Sequence, residues 1–153
     1  MNLIIGCGNE LMGDDWIGLY IVQELAKEDL PDWELSCAGT KGFNLLWDLL
    51  GNQNVVIIDA VLSGNKPGTI YKLGMEEFLN LTHEPSPSGH TLNWKEIINL
   101  GKFLYPTLFP KKILFFLIEA DSFQPVYKRL SPAITPHLKQ ILNTIKRVLR
   151  RIM

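Results

Sequence analysis

Cysteine is scarce in this chain of 153 residues: Cys7 and Cys37 are the only two. That is too few for a disulfide framework, and they read as ordinary buried thiols rather than as a bridge or a metal pair. A chain of this length buries about 70% of the surface its unfolded form exposes, so its core needs no covalent staples. An excess of one charge is also missing. Fifteen Lys and Arg face sixteen Asp and Glu, for a formal net charge of -1, which excludes the cationic field that holds a nucleic-acid backbone through counterion release. Long apolar runs are absent too. The longest, Ile113 to Ile118, falls far below the roughly 18 residues of a membrane span, so no membrane insertion is expected. The start, Met1 to Cys7, has no cationic leader and too few residues before its Cys for a signal peptide, and a cytoplasmic location is the expectation. No repeat, coiled coil or low-complexity tract interrupts the chain. One domain over residues 1–153, acting as a monomer, is expected.

What is present alternates between strand and helix signals. Leu3-Ile4-Ile5-Gly6 reads as a buried strand running into a tight Gly-rich loop. Ile17, Tyr20, Ile21, Val22 and Leu25 then recur at helical spacing, from a start near Asp14-Asp15. Carboxylates suit a helix N-terminus whatever the function, because the unpaired N–H groups and the macrodipole stabilise them. A second strand is predicted from Trp33 to Cys37 and a short helix from Phe43 to Leu50. The strongest strand signal is Val55-Val56-Ile57-Ile58, closed by Asp59; a continuous β-branched run is what a strand covered on both faces looks like. Further strands are predicted at Thr69 to Leu73 and Lys112 to Ile118, and a long amphipathic helix within Ile134 to Ile152. The fold class is therefore α/β: a three-layer sandwich around a mostly parallel, twisted sheet of about five strands. Leu79 to Leu92, with two Pro and one Gly, reads as a structured loop, and long loops in compact domains are often functional.

In such a sheet, ligands collect beyond the carboxyl ends of the strands near a topological switch point. The residues placed there are Cys7 to Asp15, Gly39-Thr40, Asp59 and, in the loop after the fourth strand, His90. Two carboxylates and an imidazole suit a divalent first-row metal with positions left open for substrate or water. The structural alternatives are a helix-start carboxylate, a strand-end turn and a solvated loop histidine, and the conjunction outweighs each. Gly6-Cys7-Gly8 does not complete a dinucleotide fingerprint, because Leu11 stands where the third Gly or Ala belongs. Two acids at the helix start would also repel a pyrophosphate. His83-Glu84 lacks the second His of a zincin motif and is followed by Pro85. An acid pair with a lone acid 44 positions on resembles a response-regulator receiver domain. That family, however, has no glycine loop before its pair and carries a Lys after the fifth strand, where this chain has Glu119 and Asp121.

The segment Gly6-Cys7-Gly8-Asn9-Glu10-Leu11-Met12-Gly13-Asp14-Asp15, with Gly18 three residues on, resembles the G-x-G-N-x-L-x-x-D-[DE]-x-x-G signature of the nickel-iron hydrogenase maturation endopeptidases. The likeness continues in order through Gly39-Thr40, Ile57 to Ala60, Pro67-Gly68-Thr69, Ser88-Gly89-His90 and Pro110-Lys111-Lys112. Trp16 stands where many members have Gly, and the loop Cys37 to Thr40 lacks an Asp often found there. The resemblance implies a peptidase, sometimes classed as aspartic-type, that removes the C-terminal extension of a hydrogenase large-subunit precursor after nickel insertion. It further implies that Asp15, Asp59 and His90 act as both the metal-contacting and the catalytic residues.

On that reading the nickel is supplied by the substrate, held by its cysteine thiolates, and Asn9, Gly39 and Thr40 contact the substrate backbone. The metal would polarise the scissile carbonyl or activate a bound water. Asp14 positions that water, repels a mis-set metal or caps the helix. A non-cleaving nickel checkpoint or chaperone would use the same ligands. Cys7 has no nucleophilic role in the family, and His83 is the rival to His90. Lys146, Arg147, Arg150 and Arg151 read as cations offsetting a helix dipole, and His137 as structural or solvated.

Overall fold

The computed structural model describes residues 1–39, 42–82 and 94–152. Its centre is a five-stranded sheet of β1 (Asn2–Gly6), β2 (Trp33–Cys37), β3 (Asn54–Val61), β4 (Ile70–Gly74) and β5 (Lys112–Glu119), in the order β2-β1-β3-β5-β4. The pairs β1–β2, β1–β3 and β3–β5 are parallel, and only β4 runs antiparallel, against β5. Around the sheet lie α1 (Ile17–Leu25), α2 (Leu45–Leu49), α3 (Met75–Leu79), α4 (Trp94–Leu104) and α5 (Leu138–Ile152). The α/β three-layer architecture read from the strand and helix signals is the observed one.

The alternation along each strand sorts the core into two halves. Val55, Ile57, Phe115 and Leu117 pack with α2, α3 and α4 through Leu45, Leu49, Phe78, Trp94 and Ile97. Val56, Ile58, Phe116 and Ile118 pack with α1 and α5 through Ile17, Ile21, Leu25, Ile141, Ile145 and Leu149. Since β3 and β5 are covered on both faces, their sequences are continuously apolar rather than alternating. Phe78 and Phe115 stack with ring centroids 3.9 Å apart, which fixes α3 against the sheet.

Four local readings differ from the sequence expectation. The α-helix proper begins at Ile17, and Asp14 and Asp15 sit in a preceding 3-10 turn, Gly13–Trp16. Leu79, expected to open a loop, is the last residue of α3, and α4 follows from Trp94. Cys7 is buried, but Cys37 is exposed, because it ends β2 at the sheet edge. His137 lies in a 3-10 turn, Thr135–His137, with its ring over Gly68, where a Cβ would come within 2.7 Å of Cδ2. Lys146 pairs with Glu28 at 2.7 Å, which fits the structural reading of the basic helix end.

Candidate active site

From β1 the sheet grows to β2 on one side and to β3 on the other, so the crevice at the carboxyl ends of β1 and β3 is the switch point. The loop leaving β1 is bound to β3 at once, since the Cys7 N–H donates to the Ile58 carbonyl at 2.8 Å. Its glycines are there for close backbone approach. Gly8 has φ +132, and a Cβ on it would lie 1.8 Å from the Asp15 carbonyl. A Cβ on Gly18 would lie 2.2 Å from the Cys7 carbonyl and 2.5 Å from that of Ile58. The G-x-G motif therefore lets the start of α1 settle onto two strand ends, and no phosphate is needed to explain it. Asn9 orders the same loop: its Oδ1 accepts from the Leu11 N–H at 2.9 Å, and its own N–H donates to the Asp15 carbonyl at 3.3 Å.

This packing brings Asp15 near Asp59. Asp15 is buried. Asp59, two residues before the end of β3, shares the strand face of Ile57 and Val61 and its Oδ1 accepts from the Ala60 N–H at 2.8 Å. Burial, and then the charge of Asp15, raise the Asp59 carboxyl to about 7, against a smaller lowering by the Ala60 bond. Cys7 belongs to the same cluster. Burial and the Asp59 charge push its thiol well above the ordinary value, and the Trp94 indole opposes them more weakly than burial does. A neutral, buried thiol is a poor nucleophile, so the site has the chemistry of a carboxylate pair and not of a cysteine peptidase.

Asp14 does something else. Its carboxylate makes no cap to the turn or the helix. It is buried and accepts from the N–H groups of Asp121 at 2.9 Å, Ser122 at 3.3 Å and Ser131 at 2.6 Å, and from the Ser131 hydroxyl at 2.9 Å. The suggested roles of water positioning, metal repulsion and helix capping give way to a clamp on the loop after β5. The receiver-like arrangement, in which both acids of the pair face a cation, is excluded by the same bonds.

A third buried acid is not among the site residues read from sequence. Glu119, at the end of β5, accepts from the Ser63 N–H at 2.8 Å, from the Ser63 hydroxyl, and from the Tyr71 hydroxyl at 2.9 Å. It anchors the β3–β4 connection beside the site. Acidic residues at strand ends near small hydroxyl residues were the available signal, but nothing local joins positions 63, 71 and 119.

Of the other residues named from sequence, Gly39 has φ +52 and, among the described residues, no atom within 4 Å of where its Cβ would be. Thr40 and His90 lie outside the described residues, as does His83. The flanks of the His90 segment are described. The Lys95 ammonium donates to the Leu81 carbonyl at 2.6 Å, joining the two ends, and Leu81 and Trp94 pack in the core half that contains Cys7 and Ile57. Among the described residues, no three His, Cys, Asp or Glu gather closely enough to hold a metal ion. Likewise among them, no helix is long and apolar enough to cross a membrane.

Residues 19–148 match the family model described as hydrogenase maturation protease. The chain is 34% identical over 152 residues to the hydrogenase 2 maturation protease of Escherichia coli K12, covering 94% of this chain and 90% of that protein. Its structure is similar to that of the hydrogenase maturating endopeptidase HybD from E. coli, with a TM-score of 0.85 and 32% identity over 98% of this chain and 92% of that one. It is also similar to the [NiFe] hydrogenase maturation protease HybD from Thermococcus kodakarensis, with a TM-score of 0.79, 28% identity, and coverage of 97% and 98%.

Proposed function

The chain belongs to the hydrogenase maturation protease family and is a peptidase, and from that premise we propose that it cuts the large-subunit precursor of a nickel-iron hydrogenase near its C-terminus, reading the inserted nickel at Asp15, Asp59 and His90. The observation that carries the reading is the Asp15–Asp59 pair. Asp59 is held near neutrality by burial and by the Asp15 charge, and an arriving divalent cation would offset the repulsion that raises it. Two hard carboxylates leave the remaining positions of a first-row metal to an imidazole and to the substrate's own thiolates.

Nickel here is part of the substrate. Held by the precursor, it supplies Lewis acidity toward the scissile carbonyl or a more acidic bound water. The protein's part is carried by its own groups. Asp15 is fixed by a loop bonded through its backbone to Asn9 and Met12. Asp59, whose carboxyl stands at about 7 before the cation arrives, is a carboxylate once the metal is seated and can then accept a proton from water and return it to the leaving amine. Gly39 and Thr40 present backbone to the peptide, and Asn9 holds the loop that carries Asp15. A chaperone that only retains nickel-loaded precursor would need no such proton-transfer group.

The test is the mass of purified precursor after incubation with the protein, with and without nickel inserted. Loss of a C-terminal fragment from the nickel-loaded form alone is the expected result. Equal cleavage of both forms removes nickel from the recognition step, and an unchanged mass in both removes the assigned substrate.

A further inference from the structure

Beside the candidate site, two loops are zipped together by their backbones. The Gly13 N–H donates to the Val126 carbonyl at 3.1 Å and the Lys128 N–H to the Glu10 carbonyl at 2.7 Å. These two bonds bracket Leu11 and Met12 on one loop and Tyr127 on the other, setting them across from each other. The result is an apolar lip that faces solvent: Leu11 is 56% exposed, Tyr127 61% and Val126 36%.

The lip is built rather than incidental. Lys128 is the one non-glycine residue with positive φ among those described, at 45°, a conformation that costs an L-residue energy and persists only where its surroundings impose it. That backbone turn delivers its N–H to Glu10. Its ammonium lies 3.7 Å from the Glu10 carboxylate and 5.4 Å from the centroid of the Tyr127 ring, steadying the aromatic from one side. The four bonds to Asp14 hold the same loop from its other end. Met12, in turn, is joined to the site, for its carbonyl accepts from the Asp15 N–H at 3.2 Å.

We infer that this lip seats apolar side chains of the precursor segment adjoining the scissile bond, an inference that rests on the peptidase reading of Asp15 and Asp59. The occupant follows from position. A peptidase must hold chain on either side of the bond it cuts, and the lip is continuous through Met12 with the acid that the reading puts at that bond. Beside the buried Asp15 and the half-buried Asp59 an acidic segment would be repelled, whereas an apolar one gains by covering Leu11 and Tyr127.

Steady-state cleavage of nickel-loaded precursor by Leu11→Ser, Tyr127→Ser and the double variant tests this. Both side chains are exposed, so thermal unfolding should stay close to that of the parent; if Leu11→Ser fails to fold, Tyr127→Ser alone carries the test. For the double variant a rise in KM of about tenfold with kcat within about twofold is expected, the mark of binding lost equally from ground and transition states. Phe103→Ser, at another exposed apolar position on α4, should leave KM unchanged. A double variant with parental KM overturns the inference, as does a fall in kcat at constant KM. A parent that sediments as a dimer and a double variant that sediments as a monomer would also overturn it, by assigning the lip to a second copy. Asp59→Asn separates the two levels: its continued cleavage would sink the site itself, whereas parental KM in the lip variants sinks only the lip.

Discussion

Asp14 and Ser131 are joined twice across a separation of 117 residues, by the Ser131 N–H to Oδ1 at 2.6 Å and by its hydroxyl to Oδ2 at 2.9 Å. Adjacent acids thus divide the work. Asp14 spends its lone pairs on the loop after β5, and Asp15 lies toward Asp59. Because the four hydrogen atoms reaching Asp14 all come from donors, an amide at that position would set an NH2 against N–H groups.

Asp14→Asn and Asp14→Ala should therefore both destabilise the fold, by about 2–4 kcal/mol, since they leave buried donors without an acceptor. Ser131→Ala, which loses the hydroxyl bond but keeps the N–H, should cost only about 1 kcal/mol. Urea midpoints at constant slope measure all three.

Asp59 makes stability depend on pH. Its carboxyl sits at about 7 in the fold against an ordinary value of 3.8, so the neutral form is the one the fold favours. The contribution is full below the unfolded value and is lost as pH rises through about 7. Asp59→Asn should accordingly be more stable than the parent at pH 8, by about 1–3 kcal/mol, and gain nothing at pH 3.5. Thermal unfolding at the two pH values decides it, and a variant less stable than the parent at pH 8 would contradict the burial of this charge.

Close backbone approach predicts a sharp contrast between two glycines. Gly18→Ala, whose Cβ would lie 2.2 Å from the Cys7 carbonyl, should cost more than about 3 kcal/mol and disturb the Asp15 loop. Gly39→Ala meets no atom within 4 Å among the described residues and has its φ of +52 to oppose it, so about 1–2 kcal/mol is expected. Chemical denaturation of both variants reads the difference.

Much of the fold is legible because β-branched runs such as Val55 to Ile58 and Ile113 to Ile118 have few alternatives to a doubly covered strand. The antiparallel turn of β4 was legible in principle: residues 62–69 are too short for a parallel crossover, and Pro67-Gly68 marks the reversal. The helix α3 was not, since five residues give too little period to detect. In α4 the period of Trp94, Ile97, Ile98 and Gly101 was blurred by outward Leu100, Phe103 and Leu104 and by a mid-helix glycine. That glycine is needed because a Cβ at Gly101 would come within 2.5 Å of the Phe109 ring. At the site, Asp15 and Asp59 could be placed from topology alone, as both follow strands that flank the switch point. The clamp role of Asp14 could not, for its partners lie more than 100 residues away and are mostly backbone groups, which leave no mark on composition.

In the proposed reaction Asp15, Asp59 and His90 act together on the precursor. Single-turnover cleavage of nickel-loaded precursor by Asp15→Asn, Asp59→Asn, His90→Gln and His83→Ala, each shown folded by circular dichroism, tests it most directly. The first three should lose at least about 1,000-fold in rate, and His83→Ala should match the parent. Near-parental cleavage by any of the first three, or loss in His83→Ala with His90→Gln unaffected, would contradict it.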